Sequence, residues 1–198
     1  MRLTDLIIHV VLSVVLIVGA YQFYFWCQRR SLFAPREFHS VVDSMIPYRP
    51  EWVWVYSFLY YPAILYVNAV LDTNLQFTRV AASYLLLLAL QMAFFLLCPV
   101  RTPARWRTAN GGRSRSERFL AFVQKFDAPS NSFPSMHTSV LMLTAMHVYP
   151  HLGMAAFAFP ALIGRSCLFT KQHYFVDVPA GVALGGLDYC LYLAIATP

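Results

Sequence analysis

Two short stretches of this chain hold the residue types best suited to chemistry. The first is Asn131-Ser132-Phe133-Pro134-Ser135-Met136-His137-Thr138-Ser139. Proline suits the first turn of a helix, where its missing N–H costs nothing. A helix is therefore predicted to start at this point, with Ser135 and its neighbours offering unpaired backbone donors and the positive end of a helix dipole. Those two features favour an anion such as phosphate, and His137 lies in the same turn. The second stretch is His173-Tyr174-Phe175-Val176-Asp177. Residues four apart share a helix face, so Asp177 is expected to hold one imidazole nitrogen of His173 and leave the other electron-rich. A base or nucleophile oriented by a third group is the general pattern of activated catalysis.

His137 and His173 are 36 residues apart, about what two antiparallel membrane helices need to leave a face and return to it. Both are then expected on one side, one as nucleophile and the other as acid for a leaving group. Phosphoryl transfer needs little beyond these and positive charge around the equatorial oxygens. The candidates for that charge are Arg101, Arg105, Lys171 and Arg165.

The elements that must position these residues read as membrane helices. The chain has 198 residues, 59% hydrophobic and 12% charged, against roughly 25% charged for a soluble domain. A bilayer-spanning helix takes about 20 mostly apolar residues. Residues 6–26, 52–71, 80–97, 135–149, 152–170 and 175–196 are six such runs, and 6–26 lacks the cleavage pattern of a signal peptide. The expected fold is an all-α integral membrane protein of six transmembrane helices. It forms a single domain over 1–198, with a catalytic core at about 80–190 and the active site at one membrane face. Residues 99–133 form an arginine-rich polar break. Within 31–50, Phe33, Phe38, Val41, Val42 and Met45 suggest one side of a short interfacial helix.

At the two motifs the chain resembles the type 2 phosphatidic acid phosphatase superfamily of membrane lipid phosphatases and phosphotransferases. Pro134-Ser135-Met136-His137 is similar to the family's second motif, Pro-Ser-Gly-His, with Met in place of Gly. Ser166 through His173 and Asp177 resembles the third, in which Ser-Arg precedes five residues, His, three residues and Asp. The resemblance implies that His173 forms a phosphohistidine, Asp177 orients it and His137 protonates the leaving oxygen, in a metal-independent reaction on a six-helix core. The chain departs from the pattern at two places. Cys167 stands where the third motif has its arginine, with Arg165 two residues earlier. Cys98-Pro99-Val100-Arg101-Thr102-Pro103-Ala104-Arg105 replaces a first motif of Lys followed by Arg-Pro. These departures look more like the inositol phosphorylceramide synthase and sphingomyelin synthase branch, which passes phospho-head groups between lipids.

Plainer readings apply elsewhere. His9, His147, His151 and His39 lack a constellation and read as structural. Arg107, Arg113, Arg115 and Arg118 read as a membrane-surface anchor, and Trp52, Trp54, Tyr60 and Tyr61 as an interfacial belt. Asp188 marks either the far interface or an internal polar contact. Gly181, Gly185 and Gly186 read as close-packing positions. Cys27, Cys98, Cys167 and Cys190 show no metal-ligand spacing and read as small apolar residues. No metal or cofactor is expected. The net charge of +6 is assigned to lipid head groups or a phosphate substrate, not to nucleic acid, and no obligate protein partner is inferred.

The expected activity is hydrolysis of a lipid phosphate or isoprenyl diphosphate. Transfer of a phospho-head group to an alcohol is the second reading. A non-catalytic lipid-binding scaffold is the third, and it predicts that His173→Ala leaves function intact. The expected location is a membrane (the inner membrane in a bacterium). Of the 15 Lys and Arg, all but Arg2 and Arg79 fall on the site's side, which by the positive-inside rule is cytoplasmic. The family resemblance implies an exoplasmic site instead.

Overall fold

Long apolar runs in this chain become helices because a backbone in lipid must satisfy its hydrogen bonds internally. The computed structural model describes residues 2–38, 40–108, 114–127 and 129–196; His39 and Arg113 lie outside them. The helices, in chain order, are α1 (Leu3–Gln28), α2 (Val41–Met45), α3 (Val53–Phe58), α4 (Tyr60–Val67), α5 (Asn74–Leu97), α6 (Arg105–Thr108), α7 (Arg115–Phe126), α8 (Met136–Leu152), α9 (Ala158–Phe169) and α10 (Asp177–Ala196). The described residues contain no strand, only an isolated parallel bridge between Arg36 and Val100.

Five stretches are long and apolar enough to cross a bilayer: Leu3–Gln28, Pro50–Val70, Asn74–Leu97, Met136–Phe169 and Asp177–Ile195. On α1, Ile7, Val11, Val15 and Val18 form an exposed aliphatic stripe, which suits a lipid solvent and would be costly in water. These features fit an integral membrane protein. Six crossings were expected, and the difference lies in the fourth stretch. It folds back on itself at Gly153, whose φ of 55° is a backbone conformation open chiefly to glycine. The returning arm, α9, spans 12 residues, about 18 Å, against a hydrocarbon core of about 30 Å. Pro160 lies in its first turn, where the lost N–H had no helical partner.

The hairpin of α8 and α9 brings Gly164 beside Thr138, so α9 retraces α8 toward its start. Helix α10 packs against α8 through two glycines. A Cβ at Gly181 would lie 2.5 Å from the Ser135 carbonyl oxygen, and one at Gly185 would meet the Ser139 carbonyl. Gly186, expected to pack in the same way, faces open space instead.

The arginine-rich break is not a plain loop. Within it Ser114 caps α7, its hydroxyl accepting from the Glu117 N–H while the Glu117 carboxylate accepts from the Ser114 N–H. Phe119 of α7 stacks on Trp54 and Phe58 of α3. A short helix, α2, does form within 31–50, with Val41 and Met45 exposed on it. Asp43 turns inward from it, and its Oδ1 accepts the Phe175 N–H at 2.6 Å.

Candidate active site

The polar segments that lead into α8 and α10 meet, the Ser132 carbonyl lying 2.8 Å from His173 Nδ1. Ser135 opens α8 as its N-cap, its hydroxyl accepting from the Thr138 amide at 3.4 Å and hydroxyl at 2.9 Å. The Ser135 N–H donates to the Asp177 carbonyl at 3.0 Å, which ties the start of α8 to the start of α10. Gln91 of α5 reaches the same point, donating to the Pro134 carbonyl at 2.6 Å and accepting from the Ser139 hydroxyl at 3.1 Å. The amides of Met136 and His137 have no partner among the described residues, so the helix start keeps two free donors.

The two loops that deliver the histidines are both held in uncommon backbone conformations. Asn131, ahead of α8, has φ 63°, and Lys171, just before His173, has φ 57°. A lysine in the left-handed region costs about 1–2 kcal/mol, so other contacts must hold it there. Its ammonium donates to the Asp43 and Ile46 carbonyls at 2.7 and 2.6 Å, and Arg49 N–H donates to the Phe169 carbonyl at 2.9 Å.

His173 is buried, and its partners fix its tautomer. Nδ1 lies 2.8 Å from the Ser132 carbonyl and 3.3 Å from Asp177 Oδ2. A carbonyl oxygen can only accept, so Nδ1 carries the proton and Nε2 keeps the lone pair. The four-residue spacing works differently from expectation. His173 lies in the turn before α10, and Asp177 is the first helical residue. The Asp177 carboxylate also accepts the Tyr174 N–H at 2.9 Å, which fixes its direction.

The His137 ring centroid lies 6.1 Å from that of His173. It packs against Tyr56 at 4.4 Å and Tyr60 at 5.4 Å. No hydrogen bond restrains its ring nitrogens among the described residues. Both histidines line one cavity of about 240 Å³, together with Tyr21, Tyr24, Tyr56, Tyr60 and Tyr61. A second, mostly apolar cavity of about 90 Å³ adjoins it, sharing Tyr21, Tyr60 and Met136, and runs between α1, α4 and α5.

The expected cations are arranged otherwise. Among the described residues, no Lys or Arg lines the histidine cavity. Arg101 pairs with Glu37 at 3.0 Å. Arg165 stacks over Trp52 and Phe169 at 5.4 and 5.1 Å. Lys171 sits 5.3 Å from the Trp106 ring centroid as well as on its two carbonyls. Burial draws its ammonium below the ordinary lysine range, and Asp43 opposes that. Arg105 is exposed at the start of α6. Arg107 donates to the Asp127 and Gln124 carbonyls beside the cavity.

Two of the histidines outside the site have side-chain partners. His9 bonds Asn74 at 2.9 Å and His147 bonds Ser83 at 2.9 Å. Asp188 is buried, and neither carboxylate oxygen has a partner among the described residues.

The pattern of the PAP2 superfamily matches residues 27–191. This chain belongs to the PAP2 superfamily. No curated protein and no solved structure matches it. Within the PAP2 match, the departure at Cys167 now has a place in space. The thiol is buried on the last turn of α9, 4.0 Å from the Ser135 hydroxyl. It lies with His137 and His173, one ligand atom of each within 4.8 Å of the others. The sequence reading took Cys167 for a small apolar residue. The signal that bears on it was its position, where the PAP2 motif carries an arginine. Asp43 gave no comparable signal, because its partner Phe175 is 132 residues away.

Proposed function

We propose that this PAP2 protein is a membrane phosphatase that hydrolyses a lipid phosphate or isoprenyl diphosphate through a phosphohistidine on His173. One observation carries the reading: His173 Nδ1 donates to a carbonyl, so Nε2 holds an unshared pair beside His137 in one cavity. In the first step Nε2 attacks phosphorus, the P–O bond to the lipid breaks, and His137 gives its proton to the departing oxygen. Asp177 and the Ser132 carbonyl balance the positive charge that the ring gains. In the second step water attacks phosphorus, His137 takes the water's proton, and the P–N bond breaks to release phosphate. The roles of His137 and His173 follow general acid–base and nucleophilic logic.

The adjoining apolar cavity between α1, α4 and α5 supports a long-chain substrate, since it leads away from the histidines among Leu16, Ile17, Val80 and Leu87. In this reading the phosphate takes hydrogen bonds from the Met136 and His137 amides and from tyrosine hydroxyls of the cavity. In this reading Ser135 acts through α8, as its cap. Arg101, Arg105, Arg165 and Lys171 then act as outer charge, shaping the field at the mouth and not gripping the phosphate. The site opens at the exoplasmic face in this reading, as the family resemblance implies.

A second reading is transfer of the phosphoryl or phospho-head group to an alcohol. Cys167 in place of arginine and a cavity lining without Lys or Arg among the described residues favour it. Incubating purified protein with a panel of lipid phosphates, with and without alcohol acceptors, separates the two. Free phosphate without acceptor supports the phosphatase, and product formed only with acceptor supports the transferase. No turnover of any substrate, with His173→Ala indistinguishable from the parent, sinks both and leaves the non-catalytic scaffold.

A further inference from the structure

The ligand atoms of His137, Cys167 and His173 lie within 4.8 Å of one another, with the two histidines lining the cavity and the Cys167 thiol buried beside them. The donor set is one thiol and two imidazoles. Thiolate and imidazole suit zinc and other borderline or soft ions, whereas magnesium and calcium take oxygen ligands. We propose that these three residues bind a zinc-class divalent cation, and that the bound cation switches off the phosphoryl transfer described above. The switch rests on that reaction; the binding does not.

The geometry needs only a small closure. A tetrahedral site with bonds of about 2.0–2.3 Å places its donors roughly 3.3–3.6 Å apart. Each separation must then shrink by at most about 1.5 Å. His137 has no hydrogen bond to hold its ring nitrogens among the described residues, so its ring is the part able to adjust. His173 is already prepared as a ligand. Its Nδ1–H is held by the Ser132 carbonyl and Asp177, the carboxylate–histidine support that orients imidazoles toward metals. Cys167 stands where an arginine would repel a cation. Three protein ligands leave the fourth position open for water from the cavity.

Binding converts the Cys167 thiol to a thiolate and releases its one proton to solvent, so ion plus ligands carry one net positive charge. The same Nε2 pair cannot bond to a metal and attack phosphorus, so metal occupancy and phosphorylation exclude one another.

Cobalt(II) titration of the purified full chain in detergent reads the site without reference to activity. The expected result is one cobalt per chain with a thiolate-to-cobalt charge-transfer band, displaced by zinc. The band is lost in Cys167→Ala and in Cys167→Ser, which preserves side-chain volume in case the alanine variant does not fold. It persists in Cys190→Ala. Affinity falls at least tenfold in His137→Ala. Zinc should also halt turnover of the parent reversibly, with a chelator restoring it, and half-inhibition of Cys167→Ala should need at least tenfold more zinc. A missing band, or one that survives in both Cys167 variants, overturns the site. Zinc binding that leaves turnover unchanged or raises it overturns the switch. A band in a protein that turns over no substrate refutes the enzyme reading and leaves the metal site standing.

Discussion

Gly181→Ala is the substitution whose effect can be worked most fully from the structure. Its new Cβ would lie 2.5 Å from the Ser135 carbonyl oxygen and 3.1 Å from Thr138 Cβ. Ordinary contact between heavy atoms is about 3.5 Å or more, so α10 must retreat from α8 by about 1 Å. The obstacle is backbone, which cannot rotate aside. Overpacking of this kind costs about 1–3 kcal/mol. Gly→Ala also gains up to about 1 kcal/mol of helix propensity, so a matched control is needed. Gly186→Ala supplies it: the same exchange on the same helix, with nothing within 4 Å of the new methyl. The propensity terms cancel, and the difference between the two variants is the overpacking cost. At roughly 2–4 °C per kcal/mol for a chain of this size, Gly181→Ala should melt about 2–12 °C below Gly186→Ala in detergent. Activity should fall further than stability. The displaced interface is where the Ser135 N–H meets the Asp177 carbonyl, so His173 moves relative to His137, and a 1 Å error in placement can cost about a hundredfold. Equal melting temperatures and equal rates for the two variants would refute the packing argument.

Three further outcomes are expected. Asp177→Asn removes the charge that balances a phosphorylated or protonated His173, and should lower kcat by about 10²-fold or more with KM little changed; a change confined to KM would argue that Asp177 serves substrate binding. Single replacements Arg101→Gln and Arg165→Gln should change kcat/KM less than about tenfold, because each guanidinium is engaged with Glu37 or with aromatic rings and surface charge acts weakly; a loss of a hundredfold or more in either would restore that arginine as a phosphate ligand. Reporter fusions should place the amino terminus in the cytoplasm, opposite an exoplasmic site, and a non-cytoplasmic amino terminus would reverse the sidedness proposed above.

The parts of this protein that were legible in its sequence are those encoded locally. A helix start with Pro134 and Ser135, and an Asp four residues after His173, are short-range patterns. The 36-residue interval between the histidines translates into a helical hairpin because the rise per residue is constant. Span number was less legible: the break between the runs 135–149 and 152–170 shows in the sequence, but hydropathy does not reveal that the returning helix α9 has only 12 residues. The partners of the cations were not legible for a different reason. Their partners are remote in sequence or are backbone carbonyls, as with Lys171 on Asp43 and Ile46, and charge near a helix end does not say where a long side chain points. Cys167 was passed over because its neighbours in space, His137 and His173, are brought to it only by the hairpin. Gly186 was grouped with Gly185 by type, although adjacent residues on a helix point about 100° apart.

The most direct test of the account is to trap the phosphoenzyme. Purified protein mixed with radiolabelled lipid phosphate and quenched within one turnover should carry an acid-labile, alkali-stable label on the peptide containing His173. The label should be absent from His173→Ala, which should also lose turnover. A label on another residue, or steady turnover by His173→Ala, would contradict the claim that His173 is the nucleophile.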